Sequence, residues 1–209
     1  MLPRSVLLFL VVLALVAVPA PQVPAQESGA VLEIKFPQDP EATDFIDSWR
    51  HVRSGGRRHQ GTDLMAPKMT PVYSVANGVV SVVTTSRLAG RYLGIDHGDG
   101  WSSYYMHLNN DMPGTDNGRA PWSMTVAPGI EVGATVRWGQ LIGWSGDSGN
   151  AETSSPHTHF ELHRHGKAVN PYPHLIRAFT REMEMLDLIN LMAAEDELRL
   201  GDAYRYPMI

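Results

Sequence analysis

His157-Thr-His-Phe-Glu-Leu-His-Arg-His165 is the stretch that decides how this chain folds. Its side chains alternate in character with the two-residue period of a strand. His157, His159, Glu161, His163 and His165 fall on one face, and Phe160 and Leu162 on the other, toward a core. A solvated surface strand rarely carries four histidines and a glutamate in one row. Two imidazoles on one face can divide labour, one binding a metal ion while its neighbour works on a substrate.

Upstream of that strand the chain is rich in Val, Tyr, Thr and Gly, a composition that favours β structure. Ser145 to Pro156 reads as a polar loop, preceded by strands at Thr135–Val136 and Gln140–Trp144. Asn109 to about Pro128 has no apolar period and reads as a long loop. Arg91 to Asp96 returns through His97-Gly-Asp-Gly100 into Trp101 to Leu108, where alternation puts Trp101, Ser103, Tyr105 and His107 on one face. Asn77-Gly78 between two apolar runs predicts a hairpin over Val72 to Val83. Downstream of about Pro173, Leu175, Phe179, Met183, Leu186 and Ile189 recur at helical spacing. They predict an amphipathic helix ending before Gly201, packed on the sheet or offered to a partner. The fold class is therefore mostly β with a C-terminal amphipathic helix.

Composition narrows the chemistry. The 209 residues contain no cysteine, which excludes a disulfide scaffold, a thiol catalyst, an iron–sulfur cluster and a cysteine-ligated zinc. Any metal must be held by His and carboxylates. A net charge of −5 argues against nucleic acid as a partner. Residues 1–25 combine Arg4, an apolar run from Val6 to Val18 and a small-residue exit, the pattern of a secretory signal peptide. That run is too short to span a bilayer, so no stable membrane insertion is expected after cleavage. The mature chain is then secreted, periplasmic or extracellular, with residues 26–50 as a linker or short pro-segment.

His59-Gln-Gly-Thr-Asp63 supplies a second pair of donors. Gly61 and Pro67 make an interior helix unfavourable there, so His59 and Asp63 belong to an extended or looped segment and can converge on one ion. A hydrolytic zinc needs three nitrogen or oxygen ligands and one open position, which two His and one carboxylate satisfy. Tyr105-Met-His107 adds a third motif on another strand.

Taken together these residues resemble the lysostaphin/LytM-type zinc metallopeptidases, which cut peptides of bacterial cell walls. The resemblance rests on His59-x-Gly-x-Asp63, Leu64-Met-Ala-Pro67, Asn77-Gly78, Tyr105-x-His107-Leu108, Gly139-Gln-x-Ile-Gly143, His157-x-His159-Phe-Glu161 and Asn170-Pro171, in family order. It implies a compact, mostly antiparallel β-sheet domain with a metal-binding groove over residues 51–172, followed by the helix and tail at 173–209. It further implies one zinc ion held by His59, Asp63 and His159, with His107 and His157 catalytic and Tyr105 placed to orient the substrate. The implied activity is endopeptidase cleavage of peptidoglycan stems or cross-bridges through a zinc-activated water. The alternatives are a wall-binding or regulatory module that activates another hydrolase, and a zinc-binding signalling or carrier domain. The loop at 109–128 and Ser154-Ser155-Pro156 depart from the family pattern and are expected along the groove.

Overall fold

Strands with one apolar face build one large antiparallel sheet and one small one. The structure is a computed structural model that describes residues 32–205, with side-chain surroundings through residue 195. The signal-peptide reading of residues 1–25 lies outside the described residues. In chain order the elements are β1 (Thr62–Met65), β2 (Pro71–Tyr73), β3 (Gly78–Ser86), β4 (Gly90–Gly98) and β5 (Trp101–Leu108). They continue as β6 (Thr135–Val136), β7 (Leu141–Trp144), β8 (His157–Arg164), β9 (Lys167–Val169) and helix α1 (Tyr172–Arg205). The large sheet runs β1-β8-β5-β4-β3-β6, with β9 beside the second half of β8, and β2 pairs with β7 separately.

The histidine-rich strand β8 lies between β1 and β5, so the alternation read from its sequence becomes a division of the sheet's two faces. Thr158, Phe160 and Leu162 are buried in one layer with Leu64 of β1, Tyr105 of β5 and Leu93 and Ile95 of β4. The opposite face presents Asp63, His159 and Glu161 in adjacent register. An antiparallel sheet can leave one face free for such a groove because no crossover helix has to cover it.

Four expectations are corrected. No hairpin spans Val72 to Val83: β2 pairs with β7, Val72 opposite Gly143, while β3 pairs with β4 and β6. The chain changes sheets at Asn77-Gly78, where Asn77 Oδ1 accepts from the Trp138 N–H at 2.7 Å. Gly78 is needed there for close approach, since a Cβ would lie 2.4 Å from the Asp96 carbonyl oxygen. Secondly, residues 32–50 are no linker. Ile34 and Phe36 lie in the core, the Lys35 N–H donates to the Val75 carbonyl, and Phe36, Phe45 and Phe179 pack with ring centroids 5.3 to 5.4 Å apart. Removing such a segment would expose several aromatic side chains, each contributing roughly 1.5–3 kcal/mol by burial.

Thirdly, α1 does not stop before Gly201 but continues to Arg205. One glycine costs a helix only about 1 kcal/mol and does not by itself terminate it. The helix packs on the body at its start, through Leu175, Ala178 and Phe179 and through Glu182, which accepts from Lys35 Nζ and the Phe36 N–H. Beyond it Met185, Leu188, Ile189, Leu191 and Met192 are exposed. Fourthly, the 109–128 loop contributes no residue to the groove lining. It is tied down by Lys68, whose Nζ sits 2.7 Å from Asp111 and Asp116 and 2.8 Å from Asp147. No helix among the described residues is long and apolar enough to cross a membrane.

Candidate metal centre

The pairing of β1 with β8 places Asp63 directly opposite His159. Neighbouring side chains on one face of an antiparallel pair meet, and here the Asp63 Oδ1 to His159 Nδ1 distance is 2.9 Å. His59 arrives from the loop before β1, where its N–H donates to the His51 carbonyl and its own carbonyl accepts from the Arg50 N–H. Its Nε2 lies 3.0 Å from Asp63 Oδ1 and 2.9 Å from His159 Nδ1. Three donor atoms thus form a nearly equilateral triangle.

The remaining nitrogen of each imidazole decides what that triangle can hold. His59 Nδ1 is 3.0 Å from the Ser48 carbonyl oxygen, which can only accept, so the proton sits on Nδ1 and Nε2 carries a bare lone pair. His159 Nε2 is 3.0 Å from Glu161 Oε1, which likewise fixes the proton there and bares Nδ1. With both neutral, two imidazole lone pairs and a carboxylate oxygen face one another about 3 Å apart. Such an arrangement repels itself unless a cation stands among the three. In a metal-free protein an added proton is the only substitute. Burial alone would push the His159 pKa down, but the Asp63 and Glu161 carboxylates outweigh it and hold it up. Asp63 itself is held far below the ordinary carboxylate range, since His159 and His59 outweigh its burial. The donor set therefore fits a small divalent cation. Asp63 Oδ2, pointing away from the triangle, accepts from the Arg53 guanidinium.

His107 reaches the same place by breaking the alternation of its strand. Arg91 pairs with Leu108 and Leu93 with Tyr105, so Met106 and His107 together oppose the single residue Tyr92. This is a β-bulge, and His107 adopts φ +60°, a left-handed conformation uncommon for a residue other than glycine. The bulge re-aims His107 to the groove, whereas Tyr105 stays on the core face. Ring centroids of His107 lie 5.0 Å from His157 and 6.0 Å from His159. His107 Nδ1 donates to the Ser148 carbonyl at 2.9 Å and His157 Nδ1 to the Ser155 carbonyl at 2.8 Å, leaving both Nε2 atoms as free acceptors. His157 Nε2 is 3.8 Å from Asp63 Oδ1. Burial, and then the charge on His157, push the His107 pKa down to about 4, so His107 is neutral at physiological pH.

Tyr105 does not reach the groove. It is fully buried, its hydroxyl accepts from the Val75 N–H at 3.0 Å and from Ser103 Oγ at 3.2 Å, and its ring packs on Phe160. Its pKa is raised to about 12 by burial. The expectation that it orients a substrate is corrected: it is a core residue. His163, on the same face of β8, meets Glu161 Oε2 through Nε2 at 2.7 Å. Glu161 thus bridges His159 and His163, and those partners draw its pKa to about 2 against the effect of burial. Its backing role had a sequence signal in the His-x-His-x-Glu parity. The carbonyls of Ser48, Ser148 and Ser155, which set three tautomers, had none.

The donor triangle and both free imidazoles open into one groove of about 820 Å³. Residues 57–118, which carry His59, Asp63 and His107, match the model of Peptidase family M23. Over that stretch the chain is similar to the M23 peptidases. It is 34% identical over 112 residues to peptidoglycan DD-endopeptidase ShyA of Vibrio cholerae, covering 54% of this chain and 22% of that protein. It is also 34% identical over 155 residues to an L-Ala–D-Glu endopeptidase of Bacillus subtilis, covering 68% of this chain and 43% of that one. Among solved structures, the catalytic domain of the antimicrobial peptidase lysostaphin from Staphylococcus simulans aligns with a TM-score of 0.50 at 26% identity. That alignment covers 64% of this chain and 92% of lysostaphin's domain. The chain spans less than half the length of the curated relatives named here. The fold is accordingly a mostly antiparallel sheet of the lysostaphin type, extended by α1.

Proposed function

We propose that this domain is a zinc-dependent endopeptidase that hydrolyses peptide bonds of peptidoglycan outside the cytoplasm. The observation that carries the reading is the triangle of bare donor atoms on His59, Asp63 and His159 with two further imidazoles, His107 and His157, offering free Nε2 atoms beside it. Two imidazole nitrogens and one carboxylate oxygen suit Zn²⁺, and three protein ligands leave a position open for chemistry. A single zinc ion in that set supplies Lewis-acid polarisation of the scissile carbonyl and a nucleophile available near neutral pH.

The chain's own residues supply the rest. Because Nδ1 of His107 and of His157 is committed to a backbone carbonyl, each ring can accept or deliver a proton only at Nε2, the atom facing the groove. Burial, and then the nearby His157, disfavour the charged form of His107, so it enters the reaction as a neutral base. The imidazole that accepts the proton of the attacking water at Nε2 is therefore the one that delivers that proton to the leaving amine, while its neutral partner accepts a hydrogen bond at its own Nε2. Glu161 and Arg53 hold His159 and Asp63 in place from behind. The names of the relatives support peptidoglycan as substrate, and a peptidoglycan substrate places the enzyme in the periplasm or outside the cell.

The test is His107→Ala and His157→Ala in protein that still binds one equivalent of zinc. Each should lose about 10²-fold or more in peptide-bond hydrolysis. Unchanged activity in both would remove the assigned roles, and wall binding without hydrolysis by the wild type would favour the regulatory module.

A further inference from the structure

The segment from Ser48 to His59 leaves the body of the domain as a short arm and returns. Val52 bridges Arg58, the Arg53 N–H donates to the Arg57 carbonyl at 2.9 Å, and the turn at Ser54–Gly56 is allowed by Gly55 and Gly56 at φ +73° and +74°. Between residues 50 and 58 the arm carries four arginines, Arg50, Arg53, Arg57 and Arg58, and no acidic residue occurs from Ser48 to Thr62. In a chain of net charge −5 this is a local inversion of sign. All four line the groove that holds the donor triangle, together with the uncharged Asn150, Ala151 and Ser154, and its two acidic lining residues, Asp63 and Glu161, are already engaged by Arg53 and by His159 and His163.

Arg53 is committed to Asp63. The other three are exposed, and none meets a carboxylate among the described residues. Arg57 Nε donates only to the Ser54 carbonyl at 3.3 Å and Arg58 Nη1 only to the Arg50 carbonyl at 3.3 Å. Arg50 lies over the Trp49 ring, 5.9 Å from its centroid. Each guanidinium keeps donors free, in the planar fork that matches a carboxylate. Packing like charges along one wall without counter-charge costs free energy in the free protein, and an anionic ligand relieves it.

We infer that Arg50, Arg57 and Arg58 form a carboxylate-binding wall, so that the groove selects a carboxylate-bearing stem peptide over a neutral glycine bridge. The inference rests on the peptidase reading above and names the substrate class of that same site. A stem peptide brings side-chain and terminal carboxylates close to its scissile bonds, whereas a run of glycines offers the wall only amides. The contact lies at the groove rim, so it contributes to ground-state binding and weakens with salt.

The experiment compares two stem-derived peptides of one sequence, one with free carboxylates and one with those carboxylates amidated, together with pentaglycine. Zinc-loaded wild type and the double variant Arg57→Gln/Arg58→Gln are measured, first by fluorescence anisotropy for binding and then by hydrolysis. The wild type should bind the free peptide about tenfold more tightly than the amidated one. The double variant should bring that ratio to within about twofold, with KM rising and kcat retained, and with a flatter dependence on salt. An unchanged melting temperature shows that the variant is folded. Equal binding and cleavage of free, amidated and pentaglycine peptides by the wild type would overturn the wall while leaving the peptidase intact. Selective, arginine-dependent binding without hydrolysis of any peptide would keep the wall and overturn the peptidase.

Discussion

Gly61→Ala should cost the protein its metal before it costs the fold. A Cβ at residue 61 would lie 2.3 Å from the Phe160 carbonyl oxygen, 2.8 Å from His159 Nε2 and 3.0 Å from His159 Cε1. Phe160 cannot yield, because its strand is paired on both sides, with Thr62 of β1 and Tyr105 of β5. The His159 ring cannot yield freely either, since Glu161 holds its Nε2 at 3.0 Å. The displacement therefore falls on the segment from His59 to Asp63, which carries two of the three donors. Opening the backbone contact to 3.0 Å takes a shift of about 0.7 Å, several times the roughly 0.2 Å that zinc–ligand distances tolerate. Overpacking of this kind costs about 1–3 kcal/mol, a fall in melting temperature of roughly 3–10 °C. Zinc affinity should fall by about 100-fold or more, with loss of hydrolysis at limiting zinc. Competition with a chromophoric chelator gives the affinity, and circular-dichroism melts of metal-free protein give the stability. Zinc affinity within about threefold of wild type, in a protein melting within a degree of it, would refute the reasoning.

Glu161→Ala removes the acceptor that fixes the His159 tautomer, and zinc affinity should fall about 10- to 100-fold in the same competition assay. His107→Asn tests the depressed pKa, asparagine being tolerated at positive φ. Because the folded pKa of about 4 lies below the 6.5 of a free histidine, the unfolded chain binds the extra proton as pH falls. Stability is full above about pH 6.5 and is lost toward pH 4, by about 2 kcal/mol between pH 7 and 5. Melts of metal-free protein should show this slope in the wild type and a shallower one in the variant; equal slopes would contradict it. Tyr105→Phe leaves the Val75 N–H without its partner and should cost about 1–3 kcal/mol in stability while kcat and KM stay within twofold. A selective rise in KM would return Tyr105 to the substrate site.

Strand β8 was legible because its period of two is unbroken and its polar face is chemically unusual. His59 and Asp63 were legible as donors, but the sequence did not show that β1 pairs with β8 and sets Asp63 opposite His159. Alternation puts His107 and Tyr105 on one face of β5, and the structure separates them. The bulge at Met106-His107 turns one side chain outward and leaves the other in the core, and a local φ of +60° leaves no trace in an alternation pattern. Asn77-Gly78 misled for a related reason: the dipeptide suits a tight turn, but the strands it joins find partners in different sheets. The segment from Leu32 to Arg50 reads as polar, and its few apolar residues, Ile34, Phe36 and Phe45, gain their meaning only against α1 and the sheet. The carbonyls of Ser48, Ser148 and Ser155 are backbone groups, and no side-chain pattern announces them.

The most direct test of the central claim is digestion of isolated peptidoglycan by the purified protein, zinc-loaded and chelator-treated, with mass analysis of the released fragments. The account predicts fragments with new amino termini that appear with zinc, vanish with chelator and return when zinc is restored. Intact peptidoglycan after incubation with protein holding one equivalent of zinc would contradict it.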